Sequence, residues 1–240
     1  MNDKVVYGIL NWNRPSNTSL IASLNPKDNQ VIYCSNVLEI DSCHNIKADT
    51  NVAKSKNLII RKARELKAKY LFIIEDDIIV KNNHVFQMYI DKMEEYGLGF
   101  IFYGFDRANM VLGMHNPGIE IQLNSEGDLD IINRFSCSSV LGFNLETNNQ
   151  VFNETLLILE MEEYTQRLAD QGIIPYNGLF FDIPNSWEYF DRLDITTERV
   201  KTMEIVKQDR QYINTNNINI SPQLNADLLI NFIIEKRNGK

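Results

Sequence analysis

The segment Tyr70-Leu-Phe-Ile-Ile-Glu-Asp-Asp77 constrains this chain more than any other stretch. A short apolar run rich in β-branched residues predicts a strand buried on both faces. Glu75, Asp76 and Asp77 follow it without a break. Ionised carboxylates are costly inside such a layer unless positive charge compensates them, so these acids are expected at the strand's carboxyl end. Open α/β sheets place their ligands at that edge. Residues i and i+2 of an extended chain point to one side, which groups Glu75 with Asp77. Hard oxygen donors in this arrangement suit a divalent cation that also carries substrate phosphates. The bland alternative is three acids opening a solvated loop, since acidic side chains are mostly exposed.

Around this segment, strands and helices alternate. Residues 4–10 and 30–35 read as further buried strands. Between them Ser16 is a candidate N-cap for a helix to about Leu24. Residues 52–67 read as a helix, with Val52, Ile59, Ala63 and Leu66 on one face. A second helix is expected over 84–96, closed by Gly97, and a strand over 99–104. This order predicts an α/β fold with a mostly parallel sheet flanked by helices. Residues 104–118 read as a Gly- and Asn-rich loop, 138–144 as a strand, and 168–172 as the end of a helix. Short strands and aromatic loops fill 173–195, and two helices are expected near 197–212 and 223–236.

At 240 residues the chain is read as one domain. Its 24 basic and 32 acidic residues leave a net charge of -8, against broad binding to nucleic acid or anionic lipid. A local basic strip from Lys201, Lys207 and Arg210 keeps nucleic acid open as a less favoured partner. No apolar run reaches the ~18 residues of a membrane span, and the N-terminus lacks a secretory pattern. Three scattered cysteines read as reduced thiols in a cytoplasmic protein. His44, His84 and His115 complete no zinc spacing.

The first strand followed by Asn13-Arg14-Pro15, the helix containing Asn57, and the Glu75–Asp77 triplet stand in the order of GT-A glycosyltransferases. The chain resembles the family 2 type, mostly inverting enzymes, over roughly residues 4–172. The resemblance implies a GT-A-like, Rossmann-related domain. Its nucleotide-sugar half would span about 1–104, its acceptor half about 105–195, and its C-terminal helices about 196–240.

It also implies a nucleotide-diphosphate sugar as donor, UDP-linked in the first instance, and a glycan or other hydroxyl-bearing acceptor. The triplet takes the place of the family's DXD motif. Asp77 would bind Mn2+ or Mg2+, and Glu75, with Asp76, would contact the ribose or a metal-bound water. Asn13, Arg14, Asp41 and Asn57 match nucleotide-binding positions, with Lys54, Asn57 and Arg61 either facing the nucleotide or forming a solvated helix side. Asp182 stands where a later metal ligand is expected. The segment Leu159-Glu-Met-Glu-Glu-Tyr-Thr-Gln-Arg-Leu168 resembles the motif that supplies the catalytic base. Counted from Arg167, the family's acidic pair falls on Glu160 and Met161, so the base is Glu160 or Glu162. Glu163 pairs with Arg167 at i,i+4 spacing. Leu157, Met161, Tyr164 and Leu168 form an apolar stripe. Trp187, Tyr189 and Phe190 are either a stacking wall for a sugar or core.

Overall fold

The structure is a computed structural model. It describes residues 4–11, 18–26, 30–37, 39–103, 119–123, 129–134, 140–157, 159–173, 175–177, 189–192 and 199–218, with residues 231 and 235. Strand β1 (Val5–Asn11) leads to helix α1 (Thr18–Leu24), β2 (Val31–Ser35), β3 (His44–Lys47) and α2 (Val52–Glu65). Strand β4 (Tyr70–Glu75) turns at the acids into β5 (Ile78–Val80), followed by α3 (His84–Tyr96) and β6 (Phe100–Tyr103). A hairpin of β7 (Ile119–Leu123) and β8 (Leu129–Arg134) precedes β9 (Val140–Asn144). Then come α4 (Glu160–Asp170), β10 (Pro175–Asn177), β11 (Phe190–Arg192) and α5 (Arg199–Thr215).

Seven strands form one sheet in the order β10-β6-β9-β4-β1-β2-β3. All neighbours are parallel except β9, which runs antiparallel between β4 and β6. Strand β5 pairs antiparallel with β11 in a separate ribbon. The expected mostly parallel sheet is therefore present. The short β3, the β5 turn-back and the β7–β8 hairpin are additions, because runs of three to six residues carry little periodicity of their own.

Alternation along the strands divides the core between the two faces. Tyr70, Phe72 and Ile74 of β4 join one cluster with Phe86 and Tyr89 of α3. Leu71 and Ile73 join the other with Ile59, Ile60 and Ala63 of α2 and Met161, Tyr164 and Leu168 of α4. The five β4 residues Tyr70–Ile74 are fully buried. Each large apolar side chain contributes about 1.5–3 kcal/mol, which holds the strand in place and leaves its acids at the end. Gly8 is required where α2 crosses β1, since a Cβ there would stand 2.3 Å from Cγ2 of Ile59.

Helix ends follow their local chemistry. Asn51 caps α2 by accepting the N–H of Lys54. Gly97 ends α3 in the left-handed conformation at φ 66°, which glycine adopts without a Cβ penalty. The expected helix after residue 197 is α5. Of the one expected near 223–236, only residues 231 and 235 are described, both helical. Ser16 and the 104–118 loop lie outside the described residues. Among the described residues no helix is long and apolar enough to cross a membrane.

Candidate active site

The acidic triplet lies at the carboxyl edge of the parallel strands, next to the point where strand order reverses between β4 and β1. Glu75 is the last residue of β4 and stands in register with Leu10. Asp76 and Asp77 make the turn into β5. Asp77 is 2% exposed, against partial exposure for Glu75 and Asp76. Beside them, at the ends of β1 and β2, the buried Asn11 donates to the Tyr33 hydroxyl at 2.8 Å and to Ser35 Oγ at 3.0 Å. Burial holds the Tyr33 hydroxyl above its ordinary range, and the charge of Asp76 adds to that effect.

Topology brings a second acidic group to this edge. Strand β10 starts opposite Phe100, at the amino edge of the sheet. Ile173, after α4, lies beside Gly99 at that same edge, where a Cβ on Gly99 would stand 3.3 Å from Ile173 Cγ2, and Gly172 lines the same cavity as Gly99 and Thr147. Helix α4 must therefore begin at the opposite, carboxyl edge. Its 11 residues rise about 16 Å, enough to cross a strand layer of this depth. The first turn of α4, with Glu160, Glu162 and Glu163, shares the edge with Glu75, Asp76 and Asp77.

These three glutamates have different surroundings. Glu160 is 3% exposed and its Oε1 accepts from Lys56 Nζ at 2.8 Å, the Lys56 side chain being fully buried. The second Glu160 oxygen is buried and accepts no hydrogen bond from the described residues. Glu163 pairs with Arg167 through two hydrogen bonds of 2.8 and 3.1 Å. Glu162 is partly exposed, and among the described residues no lysine or arginine is ion-paired with it. Burial pushes its carboxyl up to about 7. The charges of Glu160 and Asp209 push the same way, against a hydrogen bond from its own backbone and the Lys56 ammonium.

A raised carboxyl has a definite pH signature. Between about pH 4.5 and 7 the folded chain keeps a proton on Glu162 that the unfolded chain releases. Its contribution favours folding below that window and is lost as pH rises through it. Glu162→Gln removes the effect. Its unfolding free energy, relative to wild type, is expected to climb by up to about 3 kcal/mol between pH 4.5 and 8. Denaturant melts of both proteins at each pH measure this, and parallel pH curves would contradict it.

No family model and no curated protein sequence matches this chain. Solved structures do match. Residues 1–349 of TarS from S. aureus match with a TM-score of 0.55 at 14% identity, over 96% of this chain and 70% of that one. The same fragment in complex with UDP gives 0.52 at 13% identity, over 97% and 71%. The mannosyltransferase PcManGT from Pyrobaculum calidifontis, in complex with GDP-Man and Mn2+, gives 0.53 at 10% identity, over 95% and 69%. The chain has the GT-A fold.

Within this GT-A chain the remaining sequence expectations sort as follows. Asn13, Arg14, Asp182 and Trp187 lie outside the described residues. Asp41 sits in the exposed turn between β2 and β3. That turn is built by Asn45, whose amide bonds Ile40 N–H and the carbonyls of Ile40 and Cys43.

Asn57, expected at the nucleotide, is buried and acts as a clamp. Its Nδ2 donates to the Phe152 carbonyl and Glu154 Oε1, both at 2.9 Å, and its Oδ1 accepts the Phe152 N–H at 2.8 Å. Its amide is thus occupied in tying α2 to the loop before α4. Arg61 reaches Glu154 at 3.8 Å, and Lys54 is exposed. Met161, at 3% exposure, is core, as its stripe with Tyr164 and Leu168 implies. Phe190 is also core, packed edge-on to Phe86, so it forms no sugar wall.

Sequence reasoning passed over Lys56, because a lone lysine on a helix reads as solvated, and Asp209, because its partners are some fifty residues away. Strand register also sets Arg192 opposite Ile78, the residue after Asp77.

The chemistry of the donors is that of a hard-cation ligand set. Three consecutive carboxylates follow one another at a sheet edge, one of them buried. Among the described residues no group of three or more His, Cys, Asp or Glu encloses an ion. A cation held by one or two of these carboxylates would need further oxygens from a ligand such as a diphosphate.

Proposed function

We propose that the chain is a metal-dependent glycosyltransferase that moves a sugar from a nucleoside-diphosphate donor to an acceptor hydroxyl with inversion. The observation that carries this reading is the shared edge, where the acidic triplet and a glutamate held near neutrality stand on a GT-A sheet. Structures of the same fold in complex with UDP, and with GDP-Man and Mn2+, support it.

In this reading Asp77 holds the cation, while Glu75 and Asp76 contact the ribose or a metal-bound water, and Asp182 adds a later ligand. When bound, Mn2+ or Mg2+ neutralises charge growing on the diphosphate leaving group. Asn13 and Arg14 hold base and phosphate from the loop after β1, and Asp41 holds the ribose from the turn after β2.

Glu162, rather than Glu160, is the base. Glu160 is committed to Lys56, whereas a carboxyl near 7 is about half ionised at neutral pH and takes a proton more readily than an ordinary glutamate. The acceptor oxygen bonds the anomeric carbon as the bond to the diphosphate breaks, and the hydroxyl proton passes to Glu162. A glycan or other small hydroxyl compound is the acceptor, since the net charge of -8 opposes a nucleic acid. The core position of Met161, where the family's acid would stand, favours a second reading: a binder of nucleotide sugars without turnover.

Thermal-shift measurements with UDP, GDP, UDP-glucose and GDP-mannose, each with and without Mn2+, test the proposal. One base is expected to raise the melting temperature by about 5–10 °C at a hundredfold excess over Kd, and only with Mn2+. No rise with any of them would end the nucleotide-sugar reading. A rise without nucleotide release on any acceptor would favour the binder.

A further inference from the structure

Helix α5 reaches the functional edge through one buried carboxylate. Asp209 on α5 is 3% exposed. Its Oδ1 accepts the Leu157 N–H at 3.1 Å, and its Oδ2 accepts the N–H groups of Leu157 and Leu159, both at 2.9 Å. Those amides lead directly into α4. Leu159, at the N-cap position, offers no side-chain cap hydrogen bond. Backbone donors at a helix start need an acceptor, and here it comes from about fifty residues later in the chain.

The same carboxylate belongs to the charge cluster around Glu162. Lys56 of α2 is bonded to Glu160, and the charges of Glu160, Lys56 and Asp209 all act on Glu162. Asp209 lies beyond the residues that carry the glycosyltransferase resemblance.

We propose that Asp209 is a positioning residue for the transfer reaction, α5 using it to hold the entry to α4 and thereby the place of Glu162. The inference rests on the reading of Glu162 as base. It explains why a helix outside the nucleotide half is tied to this edge by a buried charge rather than by apolar packing alone. Burying a carboxylate costs free energy unless strong hydrogen bonds satisfy it, and Asp209 spends its bonds on the two amides that precede the glutamates.

The test compares wild type, D209N, D209E and E162Q as full-length chains, each checked for folding by circular dichroism. The Glu162 carboxyl is titrated by carbon-13 NMR, and nucleotide release from UDP-glucose and GDP-mannose with Mn2+ is followed against pH. In D209N one backbone acceptor and the charge are lost. The Glu162 midpoint is expected to fall by about half a pH unit, the acidic limb of kcat to move with it, and KM for the donor to stay within twofold.

D209E keeps the charge but displaces the acceptor by a methylene, so the limb stays and kcat falls at least fivefold. An unmoved midpoint and limb in folded D209N, with E162Q inactive, would overturn the positioning role and leave the base in place. Wild-type turnover in E162Q would overturn both. Should D209N fail to fold, wild-type kcat in D209E would overturn the proposal.

Discussion

Asp77→Asn is expected to lower cation-dependent release of nucleotide from the donor by on the order of 10²–10³ or more, with the fold retained. Asn has the shape of Asp and no charge. Asp77 sits 2% exposed at the turn from β4 to β5, between strands held by Tyr70–Ile74 on one side and the pairing with β11 on the other. The loss is therefore expected in cation binding and not in the sheet. Steady-state rates across a Mn2+ titration measure it, with near-ultraviolet circular dichroism as the control for packing. Glu75→Gln, at the more exposed position, should lose less. An Asp77→Asn chain that turns over at the wild-type rate at low Mn2+ would remove Asp77 from the site.

The second large effect concerns stability. Lys56→Met is expected to cost about 3–5 kcal/mol, since it strands a buried carboxylate. Lys56 is fully buried and 2.8 Å from Glu160, whose other oxygen already has no hydrogen bond from the described residues. Its ammonium also lies 5.2 Å from the Phe152 ring centroid, a further attraction that the substitution removes. Replacing both partners together, as Lys56→Met with Glu160→Met, should recover most of the loss, because two apolar side chains of similar volume need no compensation. Urea unfolding of the two single variants and the double variant gives the coupling. Additive losses would mean that the pair contributes no more than its separate side chains. The double variant also bears on mechanism, since it keeps Glu162 while removing Glu160.

Much of the sheet was legible in sequence because buried parallel strands are continuous apolar runs. Residues 70–74, 31–34 and 100–102 are read directly, and each is buried on both faces. Helix α3 was legible end to end, because its apolar spacing and Gly97 agree. The β7–β8 hairpin was not, since Ile119-Glu-Ile-Gln-Leu123 has alternation too short to stand out from its surroundings. Nor was β3, whose four residues His44-Asn-Ile-Lys47 carry one apolar side chain of consequence.

The candidate site divides the same way. Sequence by itself determined the triplet's place, because three charges after a doubly buried strand have only the sheet edge to occupy. It also determined that Met161 is core and that Glu163 answers Arg167, since both follow from helical spacing within one segment. It left Glu160 and Glu162 equivalent, two residues apart on one helix turn.

Only the tertiary structure separated them. Lys56 arrives from α2 and takes Glu160. Asp209 arrives from α5 and takes the amides before α4. Glu162, only partly exposed, is left with burial and like charge that push its carboxyl up to about 7. The acid–base character of a carboxyl is set by what surrounds it within a few ångströms, and those neighbours are separated from it in the chain by about fifty to a hundred residues.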